Sequence, residues 1–240
     1  MTTEDWVRPV LVQGSYSDGR VLVEDVAGVA NRVMGGEIVV IKNAASRPEL
    51  RTLREQIVTW SKSVPSSNPD RLSAVESWWR RDVDPPQSVS KHIFDSFCFV
   101  VTNDQDPIGP ACRDTFSLMA HLWRDLTGQT GDFEPDAQGR SLRPQAIHYP
   151  AGGGYFEWHE HSVDPQRIGL ILSLSERGKD HQKGSTVFRT EQGVVGIDDD
   201  HDMGDICLFR YDLPHAIEPV DPADGLDWDR GRWTMVLPLI

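Results

Sequence analysis

Roughly the last hundred residues of the chain, about the size of one small domain, form a succession of short strand-like runs, and this pattern constrains the fold more than any other feature. The apolar run 167–175 lies between Pro165 and the turn Glu176-Arg177-Gly178. Runs 185–190 and 193–197 follow, rich in β-branched and aromatic residues and fenced by glycine or charge. Run 205–211 and the terminal run 232–240 complete the series. Many short strands separated by turn signals point to a sandwich, a jelly roll or a barrel.

Two histidines stand two positions apart, His159 and His161, in a strand-like stretch that follows Gly152, Gly153 and Gly154. Alternate residues of a strand share a face, so both imidazoles would project into one cavity and could grip one metal ion. A third, His215, comes just past run 205–211. Two close ligands from one strand and a third from a distant one is how a β-barrel builds a mononuclear site with open coordination positions. Glu160 should face the wrong side of the strand, whereas Asp164 is near enough in sequence to swing in as a carboxylate.

In their order these pieces resemble the double-stranded β-helix core of the iron(II)- and 2-oxoglutarate-dependent dioxygenases, in the style of the prolyl-hydroxylase-like branch. The matching pieces are Tyr149 with Gly152 to Gly154, His159, the Arg167-led strand, Gly184-Ser185 before Val187-Phe188, Gly204-Asp205 before Leu208-Phe209, His215, and Arg232-Trp233. The order carries the resemblance rather than any single piece. It implies a mainly β fold with helical support (α+β): a jelly-roll or cupin-like barrel whose major sheet is backed by N-terminal helices. Within a single domain of 1–240, residues 1–140 would form the support and 141–240 the catalytic core. It also implies Fe(II), 2-oxoglutarate as co-substrate, and O2. The activity implied is that of an oxidoreductase hydroxylating or desaturating a small-molecule substrate with release of succinate and CO2.

One departure bears on the ligand set. Where the family has a carboxylate two residues after the first histidine, this chain has His161. Two sets stay open: His159, His161 and His215 with Asp164 in a supporting place, or His159 and His215 with Asp164 itself as ligand. The three-histidine set is our expectation, and its neutral third ligand leaves one more positive charge on the complex than a carboxylate would. The resemblance makes Arg232 the anchor of the distal carboxylate of 2-oxoglutarate, a task that suits a planar guanidinium fork. Arg230 shares its face by alternation and is the competing anchor, and Tyr149 either hydrogen-bonds the co-substrate or packs. The acidic, turn-rich stretch 221–229 explains why Arg232 lies farther from His215 than the family pattern. Two other readings of a three-histidine site are a cupin-like metal-binding protein without redox chemistry and a dioxygenase that uses no 2-oxo acid. Neither needs a cation facing the metal.

The remainder of the chain reads as support. A buried strand over 37–42 is flanked by helices over about 23–33 and 48–61, and an amphipathic helix over 112–126 would back the sheet. The cluster Trp78-Trp79-Arg80-Arg81 is read as a helix packing its aromatic edge on the barrel, and His92 and His121 as bland. The run 198–202 lacks the glycine and glutamate of a calcium-binding hand and is read as a solvated turn. A net charge of −13, from 37 acidic and 24 basic residues, opposes binding to nucleic acid or anionic membranes. Cys98, Cys112 and Cys207 have neither metal-knuckle spacing nor an even count, and no segment approaches a membrane span, so a cytoplasmic protein is expected.

Overall fold

The computed structural model describes residues 6–69 and 75–240. Three helices, α1 (Val26–Met34), α2 (Arg47–Ser63) and α3 (Gly109–Thr127), accompany thirteen strands. The N-terminal half contributes β1 (Val10–Ser17), β2 (Arg20–Val23), β3 (Val39–Lys42), β4 (Trp78–Val83) and β5 (His92–Cys98). The C-terminal half contributes β6 (Gln145–Ala151), β7 (Gly154–His159), β8 (Ile168–Ser173), β9 (Thr186–Thr190), β10 (Gly193–Gly196), β11 (Ile206–Arg210), β12 (His215–Val220) and β13 (Asp227–Val236).

The hydrogen-bonded order is β10-β9-β12-β7-β5-β6-β13-β8-β11-β3-β1-β2, with β4 paired to β5. The eight C-terminal strands, β6 to β13, thus make two four-strand layers, β10-β9-β12-β7 and β6-β13-β8-β11, the architecture of a double-stranded β-helix. Side chains meet between the layers: Phe188 of β9 and His215 of β12 lie 5.0 and 4.9 Å, centroid to centroid, from Phe209 of β11.

β8 shows why the central strands are apolar at every position. All six of its residues are buried, because both of its faces are covered. Ile168, Leu170 and Leu172 pack with Val33, Ile57, Phe116 and Trp123 of the helical layer, whereas Ile171 packs with Phe188 and Phe209 inside the barrel. Helix ends are fixed locally: Asp25 accepts from the Gly28 N–H at the start of α1, and α3 stops at Gly128 in the left-handed region (φ 69°).

The expected helices and core strands are present with end shifts of a few residues, except at Trp78–Val83, which is a strand and not a helix. Two adjacent tryptophans favour a pleated ribbon, and β4 pairs with β5 from Trp78↔Cys98 to Val83↔Ile93. The β1–β2 hairpin escaped the sequence reading although Asp18-Gly19, both at positive φ, is a strong hairpin signal. The turn 198–202 is laced to arginines rather than merely solvated: Asp199 and Asp200 pair with Arg8, and Asp202 with Arg47. Among the described residues no helix is long and apolar enough to cross a membrane.

Candidate metal centre

His159 ends β7 and His215 begins β12, and the two are directly opposed in the antiparallel ladder. That pairing brings residues 56 apart in sequence to a ring separation of 4.2 Å. His161 joins from two residues beyond the end of β7, so strand alternation does not place it. Instead its ring stacks on Tyr211 (4.6 Å, 15° between planes), which turns it toward the other two. One ligand nitrogen from each of the three lies within 4.8 Å of the others, the only such group of metal-ligating side chains among the described residues.

The protonation states suit a cation. Burial pulls His159 down to about 4 and His215 down to about 3, and burial also lowers His161, so all three are neutral at pH 7. Nδ1 of His159 lies 2.8 Å from the Glu157 carbonyl, and Nδ1 of His215 lies 2.8 Å from the Leu213 carbonyl. A carbonyl only accepts, so each Nδ1 holds the proton and each Nε2 keeps a lone pair. Three neutral imidazole nitrogens fit a divalent first-row transition ion.

Asp164 does not join the cluster. It sits on the exposed turn between β7 and β8, outside the group of converging ligand atoms. Of the two ligand sets read from the sequence, only the three histidines are brought together.

Beside the cluster is a cavity of about 420 Å³, within the roughly 300–1,000 Å³ of small-molecule sites. One wall comes from β6 and β13, lined by Gln145, Ile147 and Tyr149 with Thr234 and Val236; Arg232, opposite Tyr149 in register, lies next to this wall and does not itself line the cavity. Arg232 lies on the inward face by alternation with Thr234 and Val236, while Trp233 and Met235 pack under the helices. It is only 2 % exposed. Nη2 donates to Thr186 Oγ1 at 2.7 Å, and buried Nη1 has no hydrogen-bond partner among the described residues. Burial pulls its pKa down and Asp198 pushes it back up, yet a guanidinium stays charged. A buried cation with an idle N–H is the setting an anion would relieve.

Arg230 is not on that face. The register of β13 against β6 shifts between Asp227 and Gly231, and Gly231 adopts φ 142°, so the two-residue alternation breaks and Arg230 is exposed. A Cβ on Gly231 would lie 2.1 Å from the Tyr149 carbonyl, which is why glycine occupies the bulge. Tyr149 is buried at the cavity wall, and that burial raises its phenol pKa and keeps the hydroxyl protonated. His148, one residue earlier, faces the other way and stacks on Trp233 at 4.4 Å. Arg189 is exposed, its guanidinium 4.1 Å from the centroid of the Trp158 ring.

Sequence reasoning missed His92, which lines the cavity with its ring edge-on to Phe156 at 5.1 Å. Phe156 in turn stacks on His159 at 3.8 Å. The alternation His92, Phe94, Ser96 along β5 was the available signal, but it required recognising β5 as a barrel strand.

Fold and cluster together define a double-stranded β-helix barrel with a three-histidine candidate metal centre at its mouth. Solved structures share the fold. A prolyl-4-hydroxylase from Pseudomonas putida superposes with a TM-score of 0.58 at 14 % identity, over 89 % of this chain and 97 % of that one. A prolyl hydroxylase from Trichoplax adhaerens, in complex with a hypoxia inducible factor oxygen degradation domain peptide fragment, gives 0.54 at 15 % identity, over 90 % and 91 %. An oxidoreductase of the 2OG-Fe(II) oxygenase family from Burkholderia pseudomallei gives 0.53 at 11 % identity, over 97 % and 95 %. At these identities the likeness is one of fold. No family model matches the sequence, and no curated protein does.

Proposed function

We propose that the protein is a non-haem iron(II)- and 2-oxoglutarate-dependent oxygenase that hydroxylates or desaturates a small-molecule substrate, releasing succinate and CO2. The observation that carries this reading is the pairing, in one barrel, of three converging neutral imidazoles with a buried arginine whose Nη1 is idle. The three structural neighbours named above support the same chemistry through their fold.

His159, His161 and His215 would hold the iron, with Nδ1–H bonds from His159 and His215 fixing two of the rings. When bound, iron(II) supplies the oxygen activation that couples decarboxylation of the 2-oxo acid to oxidation of a substrate C–H bond. Arg232 would take the distal carboxylate of 2-oxoglutarate, held in place by Thr186. Tyr149, its cross-strand partner, has a protonated hydroxyl to donate to the same co-substrate. Phe94, Phe156 and Ile217 form an apolar wall that excludes water and orients the target carbon. The Trichoplax neighbour was captured with a peptide, whereas the size of the cavity here suits a small molecule.

Anaerobic titration of the iron(II)-loaded protein with 2-oxoglutarate tests the proposal. A weak visible charge-transfer band is expected, followed by succinate on admission of O2. A protein that binds iron but gives neither band nor succinate refutes the proposal and points to metal binding, or to oxygenation without a 2-oxo acid.

A further inference from the structure

The three histidines are not held alike. His159 and His215 each give an Nδ1–H to a carbonyl two residues earlier, which fixes both the tautomer and the rotation of the ring. His161 has no such tether: among the described residues no hydrogen bond reaches either of its ring nitrogens. Its backbone supplies no hold either, because β7 ends at His159 and residues 160–162 belong to no strand or helix. An exposed side chain in such a stretch hops between rotamers in picoseconds to nanoseconds unless something packs on it. What packs on it is Tyr211, ring to ring at 4.6 Å. Its other ring neighbours, His159 and His215 at 5.2 and 5.4 Å, are the two partners it has to meet.

Tyr211 is itself well anchored. Its N–H donates to the Arg167 carbonyl at 3.0 Å, and its ring lies 6.1 Å from Phe209 against the cluster inside the barrel. The Leu213 N–H donates to the Arg210 carbonyl at 3.0 Å, closing the turn that leads from β11 to His215. One turn thus presents a ligand, His215, and, four residues earlier, the plate on which the third ligand rests. The bond to Arg167 ties the same turn to the far end of the segment 160–167 that carries His161, so Tyr211 grips that segment at its ring and at its backbone. Burial keeps the phenol neutral, with a pKa raised to about 12, and what it offers His161 is an aromatic face rather than a charge.

We propose that the centre is a two-plus-one site: His159 and His215 are ligands preset by the main chain, whereas His161 is a ligand only while Tyr211 holds its ring, which makes Tyr211 a positioning residue for metal binding. The inference rests on the proposed function only in taking the three histidines as a metal site; oxygen chemistry does not enter it. Loss of the stack removes one ligand and leaves the other two in place.

Competition titration of the full chain with cobalt(II) against a chromophoric chelator tests this, comparing the parent with Tyr211→Phe, Tyr211→Leu, His161→Ala and the double variant of the last two. Tyr211→Phe keeps the ring and should match the parent. Tyr211→Leu keeps apolar bulk without the ring and should weaken cobalt(II) binding about tenfold, the lower end of what loss of an orienting neighbour costs a metal site. Its visible cobalt spectrum should move toward that of His161→Ala. In the His161→Ala background Tyr211→Leu should change nothing further, because the ring it positions is gone. Unchanged affinity in Tyr211→Leu, an equal loss in Tyr211→Phe, or the same weakening in both backgrounds overturns the inference. A parent chain that binds no cobalt(II) overturns the metal-centre reading and this inference with it, whereas cobalt(II) binding that is indifferent to Tyr211 overturns this inference alone.

Discussion

Replacing Arg232 by methionine separates a role in binding from a role in stability. In the protein as it stands, the guanidinium is 2 % exposed and spends one N–H on Thr186 while Nη1 is idle. Removing a cation from such a site frees the fold from a desolvated charge, and a methionine of similar length fills the volume. Thr186 loses its donor, which costs about 1 kcal/mol and offsets part of the gain. The unliganded variant should therefore unfold within about 1 kcal/mol of the parent. Anion binding responds differently. Two charged hydrogen bonds of about 1.5–2 kcal/mol each would be lost, a weakening of 2-oxoglutarate binding of roughly 10²–10³. Anaerobic calorimetric titration of the iron(II)-loaded protein with 2-oxoglutarate measures the second quantity and urea denaturation the first. Unchanged affinity, or collapse of the fold with affinity intact in the surviving fraction, would refute the argument that this buried cation awaits a carboxylate.

Three further outcomes are expected. His161→Ala should lower iron(II) affinity at least 100-fold, whereas Asp164→Ala should leave it unchanged, because only His161 reaches the cluster; metal-competition titration with a chromophoric chelator reads both. Burial depresses His159 to about 4 and His215 to about 3, so between about pH 6.5 and 4 the unfolded chain takes up protons that the folded chain refuses. The metal-free protein should therefore lose stability as pH falls through that window, and denaturation midpoints of His159→Asn should fall less steeply than those of the parent. Gly231→Ala places a Cβ 2.1 Å from the Tyr149 carbonyl at a φ of 142°, so urea denaturation should show a loss of about 2–4 kcal/mol.

The barrel was legible because both faces of β8 and β11 are covered, which writes uninterrupted apolar runs into the sequence. The neighbourhood of His159 and His215 was legible for a related reason: a histidine at the end of one strand and another at the start of a later strand can face each other only if those strands pair antiparallel. Alternation fails where the ladder does. His161 lies beyond the end of β7, and Gly231 takes Arg230 off the inward face, so neither side chain follows from counting by twos. The β4–β5 face was invisible for another reason. Trp78 to Arg81 carries no clean two-residue period, and the importance of His92 emerges only once β5 is seated between β6 and β7.

The proton on Nδ1 of both His159 and His215 is held by a main-chain carbonyl two residues earlier, not by a neighbouring carboxylate or hydroxyl. The orientation of those two rings is thereby insulated from the identity of nearby side chains. Cavity residues such as Phe94, Ile147 and Ile217 can then be exchanged freely without disturbing the imidazole pair, which leaves this scaffold open to adaptation toward new ligands one wall position at a time.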